Sequence, residues 1–256
     1  MRRRRTDSPG WPPVGSAPYP LIAYRDPVLG ERVIRIDERV AQLRFDRMPP
    51  IRPVVRWPGC RHHEGGYWYS RSRAHVRCGS VFDEMALMVL DFEASLQSIA
   101  AEPFWFVWPA DMSARTSVPS YFGRDRDGTA TLIEVRPAAL IDEDDDAAMH
   151  AATQVCAELG WCYRRIDTLG KPMLDNVAIL ARCRHPRYAP VDAVAAAITA
   201  AAAPAARLQD LVTRVTAAGA GAERSAVLSG VYHLLWQRRL QVRLDRPLTM
   251  SALVTV

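Results

Sequence analysis

The strongest local constraint on this chain is a hairpin written into residues 118–135. VPSYF (118–122) and TATLIEV (129–135) are β-prone runs, and the GRDRDG segment between them carries an Asp127-Gly128 pair, which favours a tight hairpin turn. An isolated hairpin is marginal in water, so the pair needs a sheet to join. FWFVW (104–108) reads as a strand before it and WCYRRI (161–166) as a strand after it. In between, the acidic run from Asp142 to Asp146 opens a helix through Leu159 that stops at Gly160. Early carboxylates complement a helix N-terminus, and a terminal glycine takes the left-handed cap.

Upstream, Phe82, Met85, Met88 and Val89 form one stripe of a helix over about Ser80 to Asp91, with Asp83 and Glu84 in its first turn. A second short helical stretch is expected over Leu96 to Ala101, ending near Pro103. IRPVVRW (51–57), GYWYS (66–70) and AHVRC (74–78) read as a strand meander, and a further helix covers about Met173 to Arg184. The order β-β-β-α-β-β-β-α-β-α implies an α/β core with a mixed sheet flanked by helices, over residues 50–188.

Two other regions flank this core. Residues 1–49 are rich in proline (Pro9, Pro12, Pro13, Pro18, Pro20, Pro27) and arginine, lack sustained periodicity, and read as a partly disordered arm with one short element near Glu38 to Phe45. Residues 189–256 read as a small winged-helix-like module. There Val227, Val231, Leu234 and Leu235 stripe a helix, Arg238 and Arg239 follow, and Leu240, Val242 and Leu244 alternate with polar residues before an Asp245-Arg246-Pro247 turn and a last strand.

Charge is distributed unevenly. Residues 1–74 hold 15 Lys/Arg against 7 Asp/Glu, residues 75–190 hold 11 against 17, and residues 191–256 hold 7 against 4. Basic ends around an acidic centre are compatible with contact to nucleic-acid backbone, and Arg238, Arg239 and Arg243 are the candidate DNA contacts. The longest apolar stretch, around Ala193 to Ala206, is too short and too interrupted by Pro204 to span a bilayer. MRRRR is not followed by an apolar run, so no signal peptide is expected and the cytoplasm is the expected location. The five cysteines, Cys60, Cys78, Cys156, Cys162 and Cys183, are odd in number and scattered, which fits reduced thiols. Cys60, His62, His63 and Cys78 allow a metal reading, but no second ligand half accompanies them.

The chemistry concentrates on the hairpin. Nucleases of the PD-(D/E)xK type place an Asp after a Pro at the start of one strand, then an acidic residue two positions before Lys on the next, so that both project to one face. Two carboxylates hold Mg²⁺, and the Lys orients or activates water. Several segments together, from VVRWPG (54–59) through GYWYS, AHV, LDFEASLQSIAAEPFWFVW, VPSYFGRDRDGTATLIEVRP and ELGWCYRRI to NVAILARCRHPR and YHLLWQRRL, resemble bacterial TnsA-like heteromeric transposase endonuclease subunits in order and spacing. The likeness covers roughly residues 50–256. It implies a restriction-endonuclease-like core that cuts DNA with Mg²⁺, and as partners a DDE-type transposase and an ATPase regulator.

Carried over by position, the family's site meets Gly79 where a helix Glu is expected and Ser120 where the Asp after Pro is expected. Glu134 keeps the acidic position of the last strand, and Arg136 stands for the Lys. Arginine does not deprotonate, so Arg136 cannot serve as a general base, although it can meet phosphate charge. Three functions follow as expectations. The first is a TnsA-like subunit with a degenerate nuclease centre and no cofactor, acting in DNA binding or scaffolding. The second is an active Mg²⁺ endonuclease in which Asp83, four residues after Gly79, joins Glu134 at the metal. The third is a protein-interaction module without DNA contact. The aromatic runs at 104–108 and 67–69 and His75 have core or surface readings beside nucleic-acid ones. Asp125 and Asp127 read as turn residues.

Overall fold

A computed structural model of the chain describes residues 17–52, 65–110, 112, 116–218 and 223–256. It divides into two units. The first comprises residues up to Leu87 together with Ala94–Thr168, and the second comprises Met88–Glu93 and Leu169–Val256. Several sheets and, among the described residues, seven α-helices make a mixed α/β protein.

The first unit begins with β1 (Leu21–Asp26) and β2 (Gly30–Arg35), followed by a short helix, α1 (Glu38–Ala41), and a 3₁₀ turn at Phe45–Arg47. From sequence this stretch belongs to an arm. It is ordered here because β1 is buried between β2 and a later strand, which contributes the apolar partners that local periodicity does not reveal. Residues 53–57 of the expected first core strand, and Cys60, His62 and His63 of the metal reading, lie outside the described residues.

β3 (Gly65–Tyr69) and β4 (Ala74–Cys78) form a hairpin that leads into α2 (Val81–Glu93). Ser80 caps α2 by accepting the Asp83 N–H at 3.0 Å. β5 (Ser98–Ala101) follows, where a helical stretch was expected. The six residues Leu96–Ala101 are too few for an independent helix, and pairing with β7 (Tyr121–Arg124) decides the conformation of the last four. β6 (Phe104–Val107) pairs with β1, and its aromatics are core, with Phe104 and Phe106 fully buried. β7 and β8 (Ala130–Val135) form the expected antiparallel hairpin, its turn held by Asp125 Oδ1, which accepts the N–H groups of Asp127 and Thr129 at 2.9 and 2.8 Å. α3 (Glu143–Leu159) starts with a capping box between Asp142 and Asp145 and ends at Gly160, φ +68. β9 (Cys162–Ile166) then runs parallel to β8.

The site-bearing sheet has the order β5-β7-β8-β9, antiparallel except for the last pair. Its α3-facing side packs Phe122, Leu132, Ala152, Val155 and Trp161 into a core shared with Phe45 and Phe104. Each of the larger side chains among them contributes about 1.5–3 kcal/mol by burial.

The second unit adds α4 (Met173–Ala181), α5 (Asp192–Ala202), β10 (Ala206–Arg207), α6 (Leu208–Ala217), α7 (Arg224–Trp236), β11 (Gln241–Val242) and β12 (Leu253–Thr255). The strands form a small antiparallel sheet of order β10-β12-β11. The division falls after Thr168, whereas the sequence reading placed it at residue 189. α4 shares a core with α5, α6 and α7 through Val177, Leu180, Ile198, Leu211 and Leu234, which draws it into the second unit. Asn176 of α4, 1% exposed, donates to the carbonyls of Leu244 and Arg246 at 2.9 and 2.7 Å and accepts from Leu248 N–H at 2.8 Å. One amide thereby fixes the loop between β11 and β12. No helix among the described residues is long and apolar enough to cross a membrane.

Candidate active site

The first unit brings Gly79, Asp83, Ser120, Glu134 and Arg136 to one cavity of about 360 Å³. Three elements do this. The entry to α2 supplies Gly79 and Asp83, the residue before β7 supplies Ser120, and the end of β8 supplies Glu134 with Arg136 just beyond. The β7–β8 register of Tyr121 against Ile133 sets Ser120 across from Glu134.

Each side chain has a defined local role. The Ser120 hydroxyl accepts the Val135 N–H at 2.9 Å and donates toward the Val135 carbonyl at 3.4 Å, extending the ladder beyond β7. Burial pushes the Glu134 carboxyl from its ordinary 4.5 up to about 8, against the opposing pull of the Ser120 backbone and of Arg136 and Arg52, while Asp145 adds to the rise. Glu134 is therefore largely protonated at neutral pH. Arg136 is tied to the start of α3, with 2.6 Å from its guanidinium to Asp145 Oδ2 and 3.0 Å from Nε to the Leu140 carbonyl.

Asp83 is both a helix-entry acid and a cavity residue. Its Oδ2 accepts the Ser80 hydroxyl at 2.8 Å, and burial raises its pKa, helped by Glu102 and opposed by hydrogen bonds from Ser80 and Gly79. At Gly79 an added Cβ would meet only Asp83 Oδ2, at 3.5 Å, so no close packing demands glycine there. Tyr121, in the same wall, has its phenol pushed well above the ordinary value by burial and then by Asp83.

Glu102 is the cavity residue that sequence reasoning missed. It sits at φ +46, a left-handed conformation uncommon for a side-chain-bearing residue, and its carboxylate lies 3.4 Å from Arg52 and 3.3 Å from Arg77. Its backbone bridges separate segments, donating to the Ser120 carbonyl at 3.0 Å and accepting from Ile51 N–H at 2.7 Å. Nothing in the spacing of Glu102 marks it, because its partners come from distant parts of the chain.

The donor set does not fit Mg²⁺ at the family positions. Gly79 offers no oxygen from a side chain, and the Ser120 hydroxyl is neutral and engaged in the ladder, which leaves Glu134 as the single carboxylate at those positions, whereas Mg²⁺ asks for several oxygen ligands in octahedral array. Among the described residues no group of three or more His, Cys, Asp or Glu is arranged to hold a metal ion.

The second unit's three arginine candidates differ. The Arg238 guanidinium stacks on the Phe92 ring at 5.1 Å, and Arg243 makes a two-point pair with Asp245 at 2.5 and 3.1 Å, which offsets its charge. Arg239 is exposed. Of the remaining candidates, Tyr67 and Tyr69 are buried and His75 is exposed on β4. Comparison with protein-family models finds no match for this chain, and comparison with curated proteins finds none either.

Proposed function

We propose that this chain is a TnsA-like subunit whose nuclease centre is degenerate, and that it works by binding DNA or scaffolding a transposition-type complex. The observation that carries the reading is convergence. The positions that the resemblance assigns to the family's site, Gly79, Ser120, Glu134 and Arg136, line one cavity, and Glu134 is the only carboxylate among them. The element order α2, β5, β7, β8, α3, β9, with its sheet antiparallel up to β8 and parallel at β9, supports a restriction-endonuclease-like core. The order α5, β10, α6, α7, β11, β12, with β12 in the middle of its sheet, supports a winged-helix-like module. A DDE-type transposase and an ATPase regulator are the partners this reading implies.

A second reading keeps the enzyme active through Asp83 and Glu134. Asp83 favours it by lining the same cavity. Against it stands the Ser80 hydroxyl, which occupies Asp83 Oδ2 at 2.8 Å. A mobility-shift titration of duplex DNA at several salt concentrations tests the DNA-binding role. The expected result is binding whose affinity falls steeply with salt, as counterion release requires. Absence of binding, or binding indifferent to salt, would favour a protein-interaction module instead.

A further inference from the structure

We propose that β2 is a self-pairing edge through which two copies of this chain join their β2-β1-β6 sheets about a two-fold axis. Among the described residues β2 has β1 on one side and no strand on the other. Exposed edges of this length are templates for another strand unless guarded by charge, proline or a bulge.

The backbone geometry selects the register. Ile36 N–H donates to the Pro20 carbonyl at 3.3 Å, which makes 20 and 36 a hydrogen-bonded pair. Antiparallel ladders alternate, so Ile22↔Ile34 and Tyr24↔Arg32 are the next bonded pairs, and Leu21↔Arg35, Ala23↔Val33 and Arg25↔Glu31 are the non-bonded ones. The N–H and C=O groups of Glu31, Val33 and Arg35 therefore point away from β1, toward the open edge.

A second β2, antiparallel and centred on Val33, meets all of them. Val33 then faces Val33 of the second copy, and Glu31 faces Arg35 twice by symmetry. The side chains agree with this register. Val33 is 42% exposed although its cross-strand neighbour Ala23 is 0% exposed, so the centre of the edge is an uncovered apolar position. On either side of it, opposite charges stand directly across from one another, the favourable arrangement for cross-strand pairs. Like charges along this face would guard the edge; Glu31 and Arg35 instead complement their own two-fold image. Their contacts within the chain, Glu31 to Arg25 at 3.1 Å and Arg35 over the Tyr19 ring at 4.5 Å, lie at partly exposed positions and leave the pairing backbone free.

Two short strands bury less than a standard interface, so a reversible equilibrium in the micromolar range is expected. Sedimentation velocity of the full chain from about 1 to 200 µM tests it, with circular dichroism confirming that each variant is folded. The wild type is expected to pass from monomer to dimer as concentration rises. Glu31→Arg and Arg35→Glu each replace two attractive pairs by two repulsive ones and are expected to raise the dissociation constant about tenfold. The double variant Glu31→Arg/Arg35→Glu restores opposite signs and is expected to recover most of that loss. Val33→Pro removes an outward N–H that β1 does not use and is expected to leave a folded monomer. A wild type that stays monomeric throughout, single variants that dimerise like the wild type, or a double variant as weak as the singles would each overturn the proposal.

Discussion

Replacing Glu134 by Gln is expected to change how stability depends on pH. In the folded protein the carboxyl titrates at about 8, while in the unfolded chain it titrates near 4.5. Between those values the folded state holds a proton that the unfolded state releases, so the stability linked to Glu134 is complete below about pH 4.5 and declines as pH rises through 8. At about 1.4 kcal/mol per pKa unit, the gap caps the effect at about 5 kcal/mol. Water entering the cavity softens it, leaving about 2–3 kcal/mol. Gln keeps the shape and has no proton to lose, so the variant should match the wild type near pH 5 and exceed it at pH 9. Urea denaturation followed by tryptophan fluorescence reports this, since Trp161 lies in the core of the same unit. With a slope of about 2 kcal/mol/M, the difference in midpoint between the proteins should grow by about 1 M from pH 5 to pH 9. A constant difference across that range would refute the claim that Glu134 is held neutral.

Two further outcomes follow from buried polar groups. Asn176→Ala strands two carbonyls and one N–H of the loop between β11 and β12, and thermal unfolding should register a loss of about 2–4 kcal/mol in the second unit. Asp46→Ala should cost about 3–5 kcal/mol by the same measurement, because its fully buried carboxylate faces Arg44 at 2.7 Å, Ser98 at 2.5 Å and Arg124 at 3.4 Å. Burial alone would raise the pKa of Asp46, but hydrogen bonds from Arg44 and Ser98 outweigh it and hold the pKa below 3.8, so this stabilisation persists above the ordinary carboxylate range and is lost as pH falls below it.

What the sequence makes legible here is what short-range chemistry decides. The β7–β8 hairpin follows from Asp127-Gly128 and its flanking β-prone runs, and α3 from its acidic entry and Gly160 exit. Gly79, Ser120, Glu134 and Arg136, the positions that the resemblance singles out, line one cavity. The remainder depends on contacts between distant segments. Residues 98–101 become β5 because β7 offers them a ladder, and β1 escapes notice because its partner β6 lies about eighty residues away. Glu102 carries no motif, and its importance comes from Arg52, Arg77 and Ser120 meeting around it. The engagement of Arg136 by Asp145 is likewise hidden, since a helix cap and a strand end must first be brought together.

The central claim, a nuclease-like cavity without nuclease chemistry, is tested most directly by incubating the purified full chain with supercoiled plasmid and linear duplex in Mg²⁺ or Mn²⁺. The account expects no nicking or cleavage beyond that of the Glu134→Ala variant. Robust metal-dependent cleavage that Glu134→Ala abolishes would contradict it.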